Sequence, residues 1–225
     1  MTTFTTKKNE WSQNALDTND LKKQVCRPID NENWKELVAD ISNKLNLTSE
    51  VNSILDVGCG NALLLSQLTP KVKYYYGTDY AESMVLEAKK QIVNGQFYVG
   101  DAANLNFSDN KFERVLSYSI FHYFPDESYI NIAINEFIRV TKSGGIILIG
   151  DLLDKQFEKI IKGASDLEYE KKLPHIMRYS EWTFCDLNTL KALLEKNSKV
   201  TKVEILKQPE NFQLSHYRKD LKIWL

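Results

Sequence analysis

The residues with the most chemical potential stand at the ends of short apolar runs. Ile54-Leu55-Asp56-Val57 reads as a buried strand, Gly58-Cys59-Gly60 as a turn and Ala62-Leu63-Leu64-Leu65 as the start of a helix. A turn without Cβ atoms lets backbone approach a nucleotide-like ligand, although two glycines also make a tight turn with no ligand at all. Asp79 follows Asp56 by 23 positions (79 minus 56) at the end of a second run, where a carboxylate can accept from both hydroxyls of a ribose. Asp101 lies 22 positions further on (101 minus 79) in Tyr98-Val99-Gly100-Asp101-Ala102, where an acid can accept from an exocyclic adenine amine. Singly, each acid suits a helix cap or loop. As an ordered set they point to an adenosine-containing ligand.

Other side chains could carry chemistry. His122 comes five positions past Ser117, just after a fourth apolar run. It is either a general base or a structural histidine bonded to nearby backbone. Asp151 ends a fifth run and either binds substrate, orients His122 or caps the next helix. His175, Tyr179 and Trp182 fall in a charged, aromatic stretch, where they line an acceptor pocket or hold a lid on apolar neighbours. Arg27 suits bidentate recognition of a carboxylate, or is a plain surface arginine. Leu63 stands where G-x-G-x-x-G has its third glycine, which argues against a dinucleotide.

In that order, ILDVGCGNALLL, YYGTDYAESMVLEAKK, FYVGDAANLNF, FERVLSYSIFHYFPD and EFIRVTKSGGIILIGDL resemble the five motifs of class I S-adenosylmethionine-dependent methyltransferases. The resemblance spans roughly Asp30 to Leu225 and is strongest from Ser53 to Asp151. It implies that Gly58, Cys59 and Gly60 lie against the methionine moiety and ribose, Asp56 near the methionine amino group, and Asp79 on the ribose hydroxyls. Tyr80 and Met84 would flank the adenine, unless Met84 is core filler. Asp101 and the Ala102 amide would read the adenine edge, Ser117 and Tyr118 would border the sulfonium, and Arg27 would clamp the cofactor carboxylate. Metal-dependent relatives carry acids where Ser117-Tyr118-Ser119 stands, so no metal is expected. The implied reaction is methyl transfer to a small molecule, and the aromatic, polar stretch points to an oxygen of a sugar or surface-glycan precursor, or of another small metabolite, as the acceptor. A small-molecule N-methyltransferase and a catalytically silent cofactor-binding protein are the alternatives.

These positions require strands that end on one edge of a sheet. Ser53–Val57, Lys73–Thr78, Gln96–Val99, Arg114–Ser117 and Gly145–Gly150 read as strands alternating with helices at Ala62–Leu68, Glu82–Ile92 and Glu127–Val140. That alternation predicts an α/β, doubly wound, Rossmann-like and mostly parallel seven-stranded sheet with an antiparallel C-terminal strand. Residues 1–50 are read as a polar leader and helical extension, 51–151 as the cofactor core, 152–185 as a substrate cap, and 186–225 as a helix and strand hairpin, all one domain. In the extension, Trp34, Leu37, Val38, Ile41 and Leu45 recur at helical spacing. The last strands are placed at Val200–Lys207 and Gln213–Leu225.

Bulk properties narrow the partners. The 225 residues carry 29 basic and 30 acidic side chains, a net charge of -1, so no basic face for nucleic acid is expected. No run approaches the roughly 20 apolar residues of a membrane span, and no secretory leader is evident. Cys26, Cys59 and Cys185 lack paired spacing for zinc or a disulfide framework. A cytoplasmic monomer or homodimer acting on a small molecule is the expectation.

Overall fold

Successive strand residues point to opposite faces of a sheet, and this chain buries both. Ile54, Leu116, Ile146 and Leu148 enter one core, while Leu55, Val57, Val115, Ile147 and Ile149 enter the other. The computed structural model describes residues 3–68, 72–212 and 214–225. Its strands are β1 Ser53–Val57, β2 Tyr74–Asp79, β3 Gln96–Val99, β4 Phe112–Tyr118, β5 Thr141–Leu153, β6 Lys202–Lys207 and β7 Arg218–Trp224. They form one sheet in the order β3-β2-β1-β4-β5-β7-β6. Among these strands β7 alone runs opposite to the other six, antiparallel to both β5 and β6. The doubly wound α/β fold read from the sequence is therefore the fold observed.

The helices are α1 Thr3–Asp17, α2 Leu21–Gln24, α3 Asn31–Lys44, α4 Leu63–Leu68, α5 Glu82–Gln91, α6 Glu127–Val140, α7 Glu158–Gly163, α8 Leu167–Glu170 and α9 Leu187–Leu194. Leu37, Ile41 and Leu45, spaced by one helical turn, lie fully buried against the first core. Each contributes roughly 1.5–3 kcal/mol of apolar burial. Ile134, Phe137 and Leu190 cover the opposite face from α6 and α9. Asp30, Asp126 and Asp186 cap α3, α6 and α9 by accepting from the backbone N–H groups of Asn33, Tyr129 and Thr189, each cap stabilising by about 1 kcal/mol. No helix among the described residues is long and apolar enough to cross a membrane.

Three departures from the sequence reading bear on the site. The polar leader is largely helix α1, whose Phe4, Lys7, Trp11 and Ala15 sit on one helical face; Met1 and Thr2 lie outside the described residues. Strand β5 extends past Gly150 to Leu153, and its register against β7 shifts between Ile149 and Leu152. Asp151 sits in that bulge with φ 64°, a left-handed conformation that re-aims its side chain. The last strand begins at Arg218, later than expected, and Gln213 lies outside the described residues. Between β5 and α9 the expected cap consists of α7, α8 and three short 3-10 turns, Lys155–Phe157, His175–Met177 and Tyr179–Glu181.

Candidate active site

Strand β1 pairs with β2 on one side and β4 on the other, so a crevice opens above the carboxyl ends of β1 and β4. Gly58 and Gly60 turn the chain there with φ of 76° and 51°. A Cβ on Gly58 would lie 2.6 Å from the Ile120 side chain, whereas one on Gly60 would meet only Val25, at 3.1 Å. The Gly60 and Ala81 N–H groups each donate to one oxygen of Asp79, both at 2.9 Å. Each oxygen keeps a further lone pair for a ligand hydroxyl. Asp56 is 3% exposed, lines the crevice and accepts no hydrogen bond among the described residues. Burial, then the negative charge of Asp79, pushes its carboxyl up to about 8. Burial also pushes Asp79 up to about 6 against the opposing hydrogen bonds from Ala81 and Gly60. A cationic, hydroxyl-bearing ligand would relieve both acids, and the donor set fits S-adenosylmethionine in that respect.

Helix α1 roofs this end. The Phe4 ring stands 5.4 Å from both Tyr80 and Tyr129, and Ala15 packs with Ala81 and Met84. All of Phe4, Tyr80, Met84 and Tyr129 line the crevice.

The other end is built from buried charges. Arg27 Nη2 donates to Asp151 Oδ2 at 2.7 Å and to Ser119 Oγ at 2.9 Å, while Ser119 Oγ donates to Asp151 at 2.6 Å. Arg218 Nη1 donates to the same carboxylate oxygen. Gln208 Nε2 bridges Tyr118 Oη, Asp151 and Asp220 at 3.1, 3.3 and 3.1 Å. Burial disfavours charge on Asp151, but Arg218 and Arg27 overcome it and hold the carboxyl far below its usual range. His122, 2% exposed, stacks at 4.1 Å from Tyr123 and 4.6 Å from Trp182. Its Nδ1 is buried without a partner, which leaves Nε2 as the ring nitrogen an acceptor can reach. Burial, then Arg218, drives its basicity well below that of an ordinary histidine, with Arg27 and Lys7 acting alike and Asp151 opposing.

Residues 55–149 match the family described as a methyltransferase domain, and the fold is that of its structural relatives. Residues 55–149 thus form a methyltransferase domain, on a fold of the class I, S-adenosylmethionine-dependent type. Over 122 residues it is 34% identical to a demethylmenaquinone methyltransferase of Staphylococcus epidermidis, covering 51% of this chain and 47% of that protein. It is 26% identical over 120 residues to a dTDP-3-amino-3,4,6-trideoxy-alpha-D-glucopyranose N,N-dimethyltransferase of Streptomyces venezuelae, covering 51% of this chain and 50% of that protein. The chain thus spans about half the length, or less, of the curated relatives it matches. The crystal structure of the N-methyltransferase NodS from Bradyrhizobium japonicum, in complex with S-adenosyl-L-homocysteine, superposes with a TM-score of 0.66 at 13% identity, covering 96% of this chain and 97% of that one.

Within the methyltransferase domain, the crevice gathers Asp56, Gly58, Cys59, Gly60, Asp79, Tyr80, Met84, Ala102, Tyr118, Arg27, His122, Asp151, Tyr179 and Trp182. Four of the residues expected at the site are placed or partnered otherwise. Ser117 is fully buried behind the crevice with an unpartnered hydroxyl, because the alternation of β4 turns Tyr118 to the ligand side instead. Asp101 is exposed outside the crevice lining, accepting from the Ala103 N–H and the Tyr129 hydroxyl. His175 pairs its Nδ1 with Glu181 at 2.7 Å and does not line the crevice. No hydrogen bond joins Asp151 to His122, so Asp151 does not orient the imidazole that way; the two arginines, Ser119 and Gln208 hold it.

Sequence reasoning missed Phe4, Trp11, Tyr123, Gln208 and Arg218 of the methyltransferase crevice. The spacing of Phe4, Trp11 and Ala15 was a signal for α1, diluted by the lysines and threonines between them. Arg218 and Gln208 carried none, since charged residues alternating with Leu221 and Ile223 read as an ordinary half-exposed strand.

Proposed function

We propose that the chain transfers the methyl group of S-adenosylmethionine to an oxygen of a small molecule, a sugar or surface-glycan precursor, with His122 as the base. The observation that carries this reading is continuity: one cavity of about 820 Å³ runs from Gly60 and Asp79 to His122 and Arg218. That volume suits small ligands. Helix α1 and the segment from Ile176 to Trp182 form walls, so an acceptor has to enter between them. Trp182, Tyr123 and Tyr179 offer flat faces beside polar groups, which suits a pyranose ring.

The bound cofactor supplies an already activated methyl group, so the protein's part is alignment and proton control. Asp79 would accept from the ribose hydroxyls, Asp56 would face the cationic groups and Arg27 would clamp the carboxylate. Tyr118 and Ile120 exclude water from the transfer path. His122, kept unprotonated by burial and its cationic neighbours, accepts the acceptor's hydroxyl proton at Nε2. Transfer to an amine nitrogen is a second reading, favoured by the same weak basicity, because a neutral amine needs less help from a base.

His122→Gln should lower turnover by about 100-fold while changing S-adenosylhomocysteine affinity less than about threefold. The measurement is product formation over a panel of sugars beside calorimetry. Unchanged turnover would make the residue structural, and no turnover by the unaltered protein on any hydroxylated or amine acceptor would favour a silent binding protein.

The two acids set a pH dependence. Both hold a proton to higher pH in the folded chain than the usual 3.8, so the unliganded fold loses stability as pH rises toward about 8. A cationic ligand selects the ionised forms. S-adenosylmethionine affinity should therefore rise on the order of tenfold between pH 5.5 and 8.5, and that of S-adenosylhomocysteine, which lacks the sulfonium charge, clearly less. Calorimetry at both pH values gives the answer, and parallel profiles would remove the acids from the sulfonium.

A further inference from the structure

We propose that the acceptor carries an oxyanion, a carboxylate or phosphate, which Arg218 binds beside His122. The proposal deepens the methyl-transfer reading and rests on it. It starts from a charge count at one end of the crevice. Arg27 and Arg218 share a single carboxylate, Asp151, and both guanidiniums line the cavity. Lys7 on α1, 4% exposed, lies outside the crevice lining, and the negative charges of Glu181 and Glu10 act on it. Glu10 accepts from the His175 and Ile176 N–H groups at 2.9 and 3.0 Å, and Glu181 holds His175 and Arg178. Asp220, behind Asp151, shares Lys44 with Asp40, at 2.7 and 2.5 Å. Two arginines thus share one carboxylate beside His122.

A buried guanidinium donor without a partner is costly unless something accepts from it. The opposite end of the crevice holds the unpartnered Asp56 and the buried Asp79, so the cavity is electrically polarised from acidic to basic. The acidic end fits the cationic part of the cofactor. At the basic end, Arg27 answers the cofactor's own carboxylate, and the donors left over on Arg218 answer something else. Arg218 is placed for that. It gives Nη1 to Asp151, lies beside the Tyr217 hydroxyl, and its Nε is buried with no partner. Its guanidinium lies 5.6 Å from the Trp182 ring, on which His122 also stacks, so an anion on this fork sits next to the imidazole. A planar guanidinium is the donor that best matches carboxylate or phosphate. An anion there also opposes the cations that depress His122, and so makes the base effective only once the acceptor is in place.

The test titrates glucuronate, glucose 6-phosphate and glucose, by calorimetry at pH 7.5, into the protein alone and into its complex with S-adenosylhomocysteine. At least one anion should bind ten times more tightly than glucose, and comparing the two distinguishes a carboxylate acceptor from a phosphorylated one. Arg218→Gln should lose at least tenfold for that anion, and Arg218→Lys, which keeps the charge without the fork, should fall between. In NMR titrations, the His122 Cε1–H resonance should move to a higher midpoint with the anion bound. Equal binding of glucose and both anions overturns the proposal, as does unchanged anion affinity in a folded Arg218→Gln protein. If Arg218→Gln does not fold, the comparison with glucose and the Arg218→Lys variant decide. Failure of S-adenosylhomocysteine to bind while an anion binds would remove the methyl-transfer reading and leave the anion site standing; the reverse pattern would remove the anion site alone.

Discussion

Asp151→Asn is expected to lower stability by roughly 3–5 kcal/mol, the cost of breaking a buried ion pair from one side, which corresponds to a Tm drop on the order of 6–20 °C. Asparagine is the informative replacement. It keeps the shape and tolerates the left-handed φ of 64° that the β5 bulge imposes, so the change isolates the charge. With that charge gone, Arg27 and Arg218 face each other without a counter-ion in a site where Asp151 is 2% exposed. Neutralising the partner as well, in Asp151→Asn with Arg218→Met, should recover at least half of the loss, because no unpaired charge remains on β7. Thermal unfolding of the three proteins measures this. A single variant as stable as the unaltered chain, or a double variant worse than the single, would mean that the pair is not what anchors β5 to β7 at this point.

Asp79→Ala should weaken S-adenosylhomocysteine binding by a factor on the order of 100 to 10,000. Hydrogen bonds to a charged acceptor are worth about 1.5–3 kcal/mol each, and two ribose hydroxyls share this carboxylate. The structure adds a second route to the loss. The same two oxygens hold the Gly60 and Ala81 N–H groups, so removing them releases the turn that faces the ligand. Asp79→Asn, which retains one acceptor oxygen, should lose less than Asp79→Ala. Calorimetry, with circular dichroism to verify the fold, is the measurement. Affinity within threefold of the unaltered protein for Asp79→Ala would show that the ribose is held elsewhere. Because burial already makes this acid reluctant to ionise, the unliganded Asp79→Ala protein should not be much less stable than its parent.

The cofactor end of the crevice was readable because its determinants are local. Gly58, Gly60 and Asp79 each occupy a fixed place relative to a strand end, and the β-strand period decides which way their neighbours point. The same period applied one residue off explains Ser117: the motif was correctly located on β4, but which of Ser117 and Tyr118 faces the ligand depends on a register that only the paired strands fix. Asp101 was found at the right strand end, yet the Tyr129 hydroxyl, 28 residues away in sequence on α6, turns it to the rim. Likewise, Met84 packs with Ala15 of α1 and still lines the crevice, so its two readings are not exclusive.

By itself, the sequence determined the alternation of strands and helices, hence the sheet and the glycine turn at its switch point, because apolar periodicity and turn chemistry act over a few residues. Only the tertiary structure decided the acceptor end. Arg27 and Asp151 are separated by 124 residues, and Arg218 and Asp151 by 67, and no local pattern announces that they share a carboxylate. The same holds for α1, a weakly apolar helix that owes its place to Tyr80, Tyr123 and Tyr129 rather than to its own composition. Buried charge and roof are products of long-range packing, which puts charged residues inside wherever partners from distant strands and helices arrive together to satisfy them.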